Sequence, residues 1–232
     1  MENKDKLLIS NMYDLSHTAA ADFMKEYDYP WEVLPHIKDI ILALGEKIDR
    51  ECPEDYEKRG DNVWIHKTAT VFESAYINGP AIIGANTEVR QCAFVRGNAL
   101  VGENAVVGNS TELKNVIIFD NVQVPHYNYV GDSILGYKSH MGAGSITSNV
   151  KSDKTLVVVK GYDEFSDIHF ETGLKKFGAM LGDFVEVGCN SVLNPGTVIG
   201  RHTNIYPLSP VRGYVPENSI VKTGNVIVTK RD

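Results

Sequence analysis

A mainly β fold, a parallel β-helix with a short helical segment at its start, is what this sequence predicts, and two periodic signals and one interruption predict it. Aliphatic residues recur at every sixth position through Ile65, Val71, Ile77, Ile83, Val89, Val95, Val101, Val107 and Leu113. At 43% hydrophobic content, nine unbroken hits in a fixed frame arise by chance roughly once in two thousand trials. The second signal is a small residue two positions before each rung: Ala69, Ala75, Ala81, Thr87, Ala93, Ala99, Ala105 and Thr111. Six residues per flat side, with a small residue near each corner, is the pattern of stacked coils, three sides making a coil of about 18 residues. The interruption lies between Asn149 and Lys176, where the ladder vanishes before returning at Leu181.

The elements follow in order. Residues 1–60 read as a helical appendage. Ser16 is placed to cap a short helix through Phe23 and Tyr27, and Ile37, Ile40, Ile41, Leu44 and Ile48 show helical spacing beyond Pro30. The acidic stretch from Asp49 to Glu57 reads as a linker. Residues 61–232 form the β-helix. Its ladder slips by one after Leu113 to Ile118, Val124 and Val130, and again to Leu135, Met141 and Thr147, then runs through Leu181, Val187, Leu193, Ile199 and Ile205. The interruption, at about 150–176, is an excursion of a length usually functional or disordered.

Three steps return to the same side, so Val95, Leu113, Val130 and Thr147 form one column, with coils about 4.8 Å apart. The residues after them stack as well, which puts Arg96 beneath Lys114, with Gly131, Ser148 and Asn149 above and Lys154 at the base of the excursion. Two stacked cations repel, and an anion between them resolves the conflict. The alternative is that they splay into solvent or pair with Glu88 or Glu112. The adjoining column carries Asn109, His126 and Ala143, and Tyr129 turns the corner from one to the other.

Composition narrows the function. A net charge of −7 and a pI near 5.5 argue against a nucleic-acid partner, so any anion site is local. No apolar run approaches the roughly 20 residues that cross a bilayer, and the charged start does not suit a secretory leader, which points to a cytoplasmic protein without membrane association. Cys52, Cys92 and Cys189 are an odd count without a CxxC, which fits reduced thiols.

The run Lys114-Asn115, then Pro125-His126-Tyr127-Asn128-Tyr129-Val130-Gly131-Asp132, then Gly142-Ala143-Gly144-Ser145-Ile146-Thr147-Ser148-Asn149 resembles the acetyltransferase domain of bacterial bifunctional UDP-N-acetylglucosamine pyrophosphorylases. It is also similar to the C-terminal half of archaeal sugar-phosphate nucleotidyltransferases. The resemblance implies a left-handed β-helix, a homotrimer, and transfer of acetyl from acetyl-CoA to the amine of glucosamine 1-phosphate or a similar amino-sugar 1-phosphate. It implies His126 as general base, Tyr129 as a substrate-positioning group, Arg96 and Lys114 as phosphate binders, Asn149 as a sugar contact and Lys154 as a further cation. Backbone N–H groups around Ala143 and Gly144 are the expected holders of the thioester oxygen.

The sequence departs from that pattern in places. A substrate-contacting Asn falls on His140, and small coenzyme-lining positions become Cys189 and Pro207, the latter without an N–H to donate. Residues 1–60 are too short for a nucleotide-binding α/β domain, so nucleotidyl transfer is not expected, and they are expected to cover an open end of the β-helix or join a subunit contact. Two other classes stay open: a non-catalytic sugar-phosphate binder or scaffold, and a zinc hydratase resembling γ-carbonic anhydrases. For the latter, His66, His126, His140, His169 and His202 lack the close pairing of a ligand set, so no metal is expected.

Overall fold

In the computed structural model, which describes residues 2–224 and 226–230, the ladder closes into a left-handed β-helix of about nine turns. Its prism has three faces of short parallel strands. The first holds Ala81–Ile83, Ala99–Val101, the end of Glu112–Ile118, the end of Tyr129–Leu135, Ala179–Leu181 and Thr197–Ile199. The second stacks Glu88–Val89, Val106–Asn109, Gln123–His126, His140–Met141, Glu186–Val187 and Asn204–Ile205. The third stacks Tyr76–Ile77, Phe94–Val95, the start of Glu112–Ile118, the start of Tyr129–Leu135, Ile146–Thr147, Val192–Leu193 and Pro210–Val211.

Both slips of the ladder are real. Leu113 pairs with Val130, Ile118 with Leu135, and Ile134 and Leu135 with Met180 and Leu181 across the excursion. Val95, Val101, Val107, Leu113, Ile118, Val124, Val130, Leu135, Met141, Leu181 and Leu193 are 0% exposed. Each such side chain contributes about 1.5–3 kcal/mol of apolar burial. The small residues explain themselves at the corners, where Thr87 Oγ1 donates to Gly102 O at 2.7 Å and Thr111 Oγ1 to Val124 O at 2.9 Å.

The N-terminal segment departs from expectation in three ways. Ser16 caps no helix; it sits in the 3-10 turn Leu15–His17, where the Asp14 carboxylate accepts from its N–H at 3.0 Å. The acidic stretch is not a free linker. Asp49 belongs to the helix Ile37–Glu51 and accepts from Trp64 Nε1 at 2.8 Å, while Tyr56–Lys58 pairs antiparallel with Val63–His66 and covers the edge of the first coil. The long helix also lies along a flank, against Ala81–Ile83, Ala99–Val101 and Glu112–Ile118, rather than over an open end. The cause is chemical: the first face carries a second apolar row pointing outward, with Ile82, Leu100, Ile117, Ile134, Met180 and Val198 at 0–3% exposure.

The excursion is structured. Val158–Lys160 and His169–Glu171 form an antiparallel hairpin, with Val157, Val159 and Ile168 buried beneath it. Phe170 packs against Tyr29 and Trp31 at ring distances of 4.6 and 5.2 Å, and Asn3 Nδ2 donates to Asp167 Oδ1 at 2.8 Å. The hairpin thus docks on its own chain's N-terminal segment. Among the described residues, no helix is long and apolar enough to cross a membrane.

Candidate functional site

The third face carries the cationic column. Val95 pairs with Leu113 and Lys114 with Gly131, so Arg96 and Lys114 stand one rung apart as the periodicity requires. The repulsion between them is answered from within the chain, by the pairing with Glu112 that the sequence left open and by Asp132, which it did not offer. Arg96 Nη1 donates to Glu112 Oε1 at 2.8 Å, and Lys114 Nζ stands 3.2 Å from both oxygens of Asp132. The Glu112 hydrogen bond raises the Arg96 pKa further and keeps the guanidinium charged. Donors remain for a ligand all the same, because a guanidinium has five N–H groups and an ammonium three.

Asp132 is the centre of this arrangement and went unassigned in the sequence. Its buried carboxylate also accepts from Asn115 Nδ2 at 3.0 Å and from Asn149 Nδ2 at 2.5 Å. Asn98, Asn115, Asp132 and Asn149 recur at the spacing of the shortened coils, and the first three have φ of 51, 55 and 47°, left-handed values that Asn and Asp tolerate at a tight corner. That spacing was visible and marks the corner ladder. Asn149, expected as a sugar contact, therefore spends one donor inside the protein. Asn115 Nδ2 also reaches Leu34 O at 3.2 Å, which ties the helical segment to the same corner.

Tyr129 is half-buried on the third face. A Cβ on Gly131 would stand 2.4 Å from its Oη, so the missing side chain is what lets the ring lie over the strand. Burial pushes the phenol pKa up, Asp132 and Glu112 add to the rise, and Arg96 and a hydrogen bond from Asn149 oppose it. Tyr129 thus stays a hydrogen-bond donor.

The second face ends on His126, whose exposed ring lies one corner from Tyr129. The corner is fixed by buried Asn128: its Oδ1 accepts from His126 N at 3.0 Å, and its Nδ2 donates to Gly142 O at 2.9 Å and Ser145 O at 3.0 Å. Above His126 the register places Ala143, Cys189 and Pro207 in one column. Gly144 N–H donates to His126 O at 3.0 Å and is committed to the ladder, which corrects its assignment as an oxygen holder. The Ala143 N–H has no acceptor among the described residues.

Two sequence candidates fall elsewhere. His140 lies on the second face, paired with Glu186 Oε2 at 2.9 Å, and shares a groove with Cys189 and Pro207 rather than with Arg96 and Lys114. Lys154 is exposed and makes no ion pair among the described residues. Of the other histidines, His66 contacts Thr68, His169 contacts Glu171 and His202 stacks on Phe184. Among the described residues, no group of three or more His, Cys, Asp and Glu is arranged to hold a metal.

Stacked six-residue sides closing a three-faced prism of parallel strands define a left-handed hexapeptide-repeat β-helix of the acetyltransferase fold. The chain belongs to the family described as the GMPPB C-terminal domain, which matches residues 79–199. It is 32% identical over 212 residues to the bifunctional protein GlmU of Methanococcus maripaludis strain C5, covering 90% of this chain and 50% of that protein. It is 29% identical over 218 residues to a bifunctional sugar-1-phosphate nucleotidylyltransferase/acetyltransferase of Sulfurisphaera tokodaii, covering 88% and 53%. The chain thus spans about half the length of these relatives. Among solved structures, the polySia-specific acetyltransferase NeuO is similar with a TM-score of 0.46 at 14% identity, covering 74% of this chain and 88% of that one.

Proposed function

We propose that this protein is an N-acetyltransferase that uses acetyl-CoA to acetylate an amino-sugar 1-phosphate. One observation carries the reading: an exposed histidine and a pair of cations with spare donors stand on adjoining faces, His126 one coil above Lys114 and two above Arg96. The similarity to bifunctional nucleotidylyltransferase/acetyltransferases supports it.

The chemistry follows from the residue types. Acetyl-CoA is a substrate and supplies the thioester. Arg96 and Lys114 hold the sugar phosphate and orient the amine. As the nitrogen bonds to the thioester carbon, His126 takes its proton; as the carbon–sulfur bond breaks, the proton passes to the leaving sulfur, giving amide and free thiol. The Ala143 N–H points a donor at the oxygen on which charge develops. Asp132 acts through Lys114 and Asn149 and is a positioning residue. The coenzyme takes the side of Cys189 and Pro207, where the missing N–H of Pro207 leaves its grip to neighbouring groups. His140, beside them, meets the coenzyme rather than the sugar, and Lys154 stays available to a phosphate from the exposed excursion. A homotrimer is the expected assembly, and light scattering checks it.

The test is release of free CoA from acetyl-CoA with a panel of amino-sugar phosphates. Turnover with a 1-phosphate supports the reading. Sugar-phosphate binding without turnover, unchanged in His126→Ala, would instead favour a non-catalytic binder.

A further inference from the structure

Away from both columns, the N-terminal segment and the excursion hairpin close on a pocket of about 570 Å³, within the size range of small-molecule sites. Its back wall is aromatic. Tyr29 lies parallel to Trp31 at a ring distance of 4.9 Å, and Phe170 of the hairpin tilts against them by 57 and 58°. Tyr27 stacks on His36 at 5.4 Å beside them, and Pro35 and Leu174 complete the apolar lining.

The rim carries one sign of charge. Glu26, Asp28, Glu32 and Glu171 line the pocket, and among the described residues no Lys or Arg does. In a chain with 23 Lys and Arg against 30 Asp and Glu, a surface of interspersed charge would set about three cations beside four carboxylates. Two of the four are engaged within the chain: Glu32 Oε2 accepts from the N–H groups of Tyr29 and Asp28 at 3.0 and 3.2 Å, and Glu171 pairs with His169 at 3.1 Å. The exposed carboxylates of Glu26 and Asp28 accept no hydrogen bond and no ion pair among the described residues. The negative potential reaches Tyr29, whose phenol pKa is pushed up by burial and then by Asp28, Glu32, Asp5 and Glu2. An ammonium of the chain itself is already drawn to this wall, since Lys4 Nζ stands 5.7 Å from the centre of the Phe170 ring.

We propose that this pocket binds a linear polyamine, its methylene stem against the rings and its ammonium groups on the rim carboxylates. The two halves of the pocket act together. An exposed ion pair alone gains little in water, whereas an aromatic face attracts an ammonium through its quadrupole and buries the stem that carries it. A compact quaternary ammonium fits less well, because it needs rings on several sides and Trp31, at 3% exposure, backs Tyr29 rather than opening onto the pocket. A divalent metal ion needs a shell of oxygens, and no group of three or more ligating side chains is arranged for one among the described residues. The polyamine bridges Glu26 and Asp28 of the N-terminal segment to Phe170 of the hairpin and so favours the docked hairpin.

The double variant Glu26→Gln/Asp28→Asn changes two exposed side chains that hold no other group. In calorimetry at fixed ionic strength, spermidine binds the wild-type protein and binds the variant about tenfold more weakly. Spermidine also raises the melting temperature of the wild-type protein more than that of the variant, because it binds the folded chain alone. Tyr27→Leu, which keeps every carboxylate and removes a ring, weakens spermidine binding as well. Equal spermidine affinity in the wild-type protein and the carboxylate variant overturns the proposal, as does binding of Mg²⁺ or tetramethylammonium as tight as that of spermidine. Neither measurement requires turnover, so the outcome is independent of the acetyltransferase reading.

Discussion

Lys114 Nζ lies 3.2 Å from each carboxylate oxygen of Asp132, which stands at the corner of the next coil. The pair is mostly out of water, with side-chain exposures of 25% for the lysine and 6% for the aspartate. Asn115 and Asn149 share the same carboxylate, so three groups of the candidate site rest on one side chain. Such a buried pair is costly to break from one side, because the surviving charge keeps its desolvation penalty.

Asp132→Asn keeps the shape and replaces one acceptor with a donor that faces other donors. The expected loss of unfolding free energy is about 2–4 kcal/mol, read from denaturant titration. A loss below about 0.5 kcal/mol, the range of an ordinary surface change, would remove Asp132 from the centre of the site.

Gly45 lies where the helix Ile37–Glu51 crosses Trp64, and a Cβ there would stand 2.2 Å from the indole Cη2. Gly45→Ala sets two effects against each other: better helix propensity, worth about 1 kcal/mol, and overpacking, which costs about 1–3 kcal/mol. Trp64 is 2% exposed and held by Asp49, so overpacking wins and the melting temperature falls. A rise in melting temperature would mean that the helix does not dock here.

Tyr56 seals the first coil, edge-on to His66 at 5.0 Å, and burial, followed by its neighbours Cys52, Glu103 and Asp55, pushes its pKa up to about 12. The folded state therefore holds this proton above pH 10 while the unfolded chain, near its ordinary value of about 10, has lost it. Stability from this group is complete below pH 10 and disappears as pH rises towards 12. In Tyr56→Phe the stability curve over that window becomes shallower; an unchanged slope would place the phenol in solvent.

Much of the fold was legible because it is periodic. The ladder, its two slips and the vertical alignment of Arg96 with Lys114 follow from residues that must face inward at fixed intervals. A further signal lay in the apolar pairs Ile82-Ile83, Leu100-Val101, Ile117-Ile118, Met180-Leu181 and Val198-Ile199, whose outward members mark the face that the N-terminal segment covers. Glu112 was among the partners the sequence offered, whereas Asp132 was hidden because the column was read one residue after each rung and Asp132 sits on a corner. The excursion hairpin escaped for another reason: its alternation over Val157, Val159, Ile168 and Phe170 is too short to stand out from a loop.

The central claim is that two adjoining columns divide the labour, base on one and anion on the other. Steady-state acetylation of an amino-sugar 1-phosphate by His126→Ala and Arg96→Ala tests it most directly. The account predicts a fall in kcat of about 10²–10⁴ for His126→Ala with little change in KM. For Arg96→Ala it predicts a rise in KM of about tenfold, with both variants folded by circular dichroism. A His126→Ala protein that turns over at the wild-type rate would contradict it.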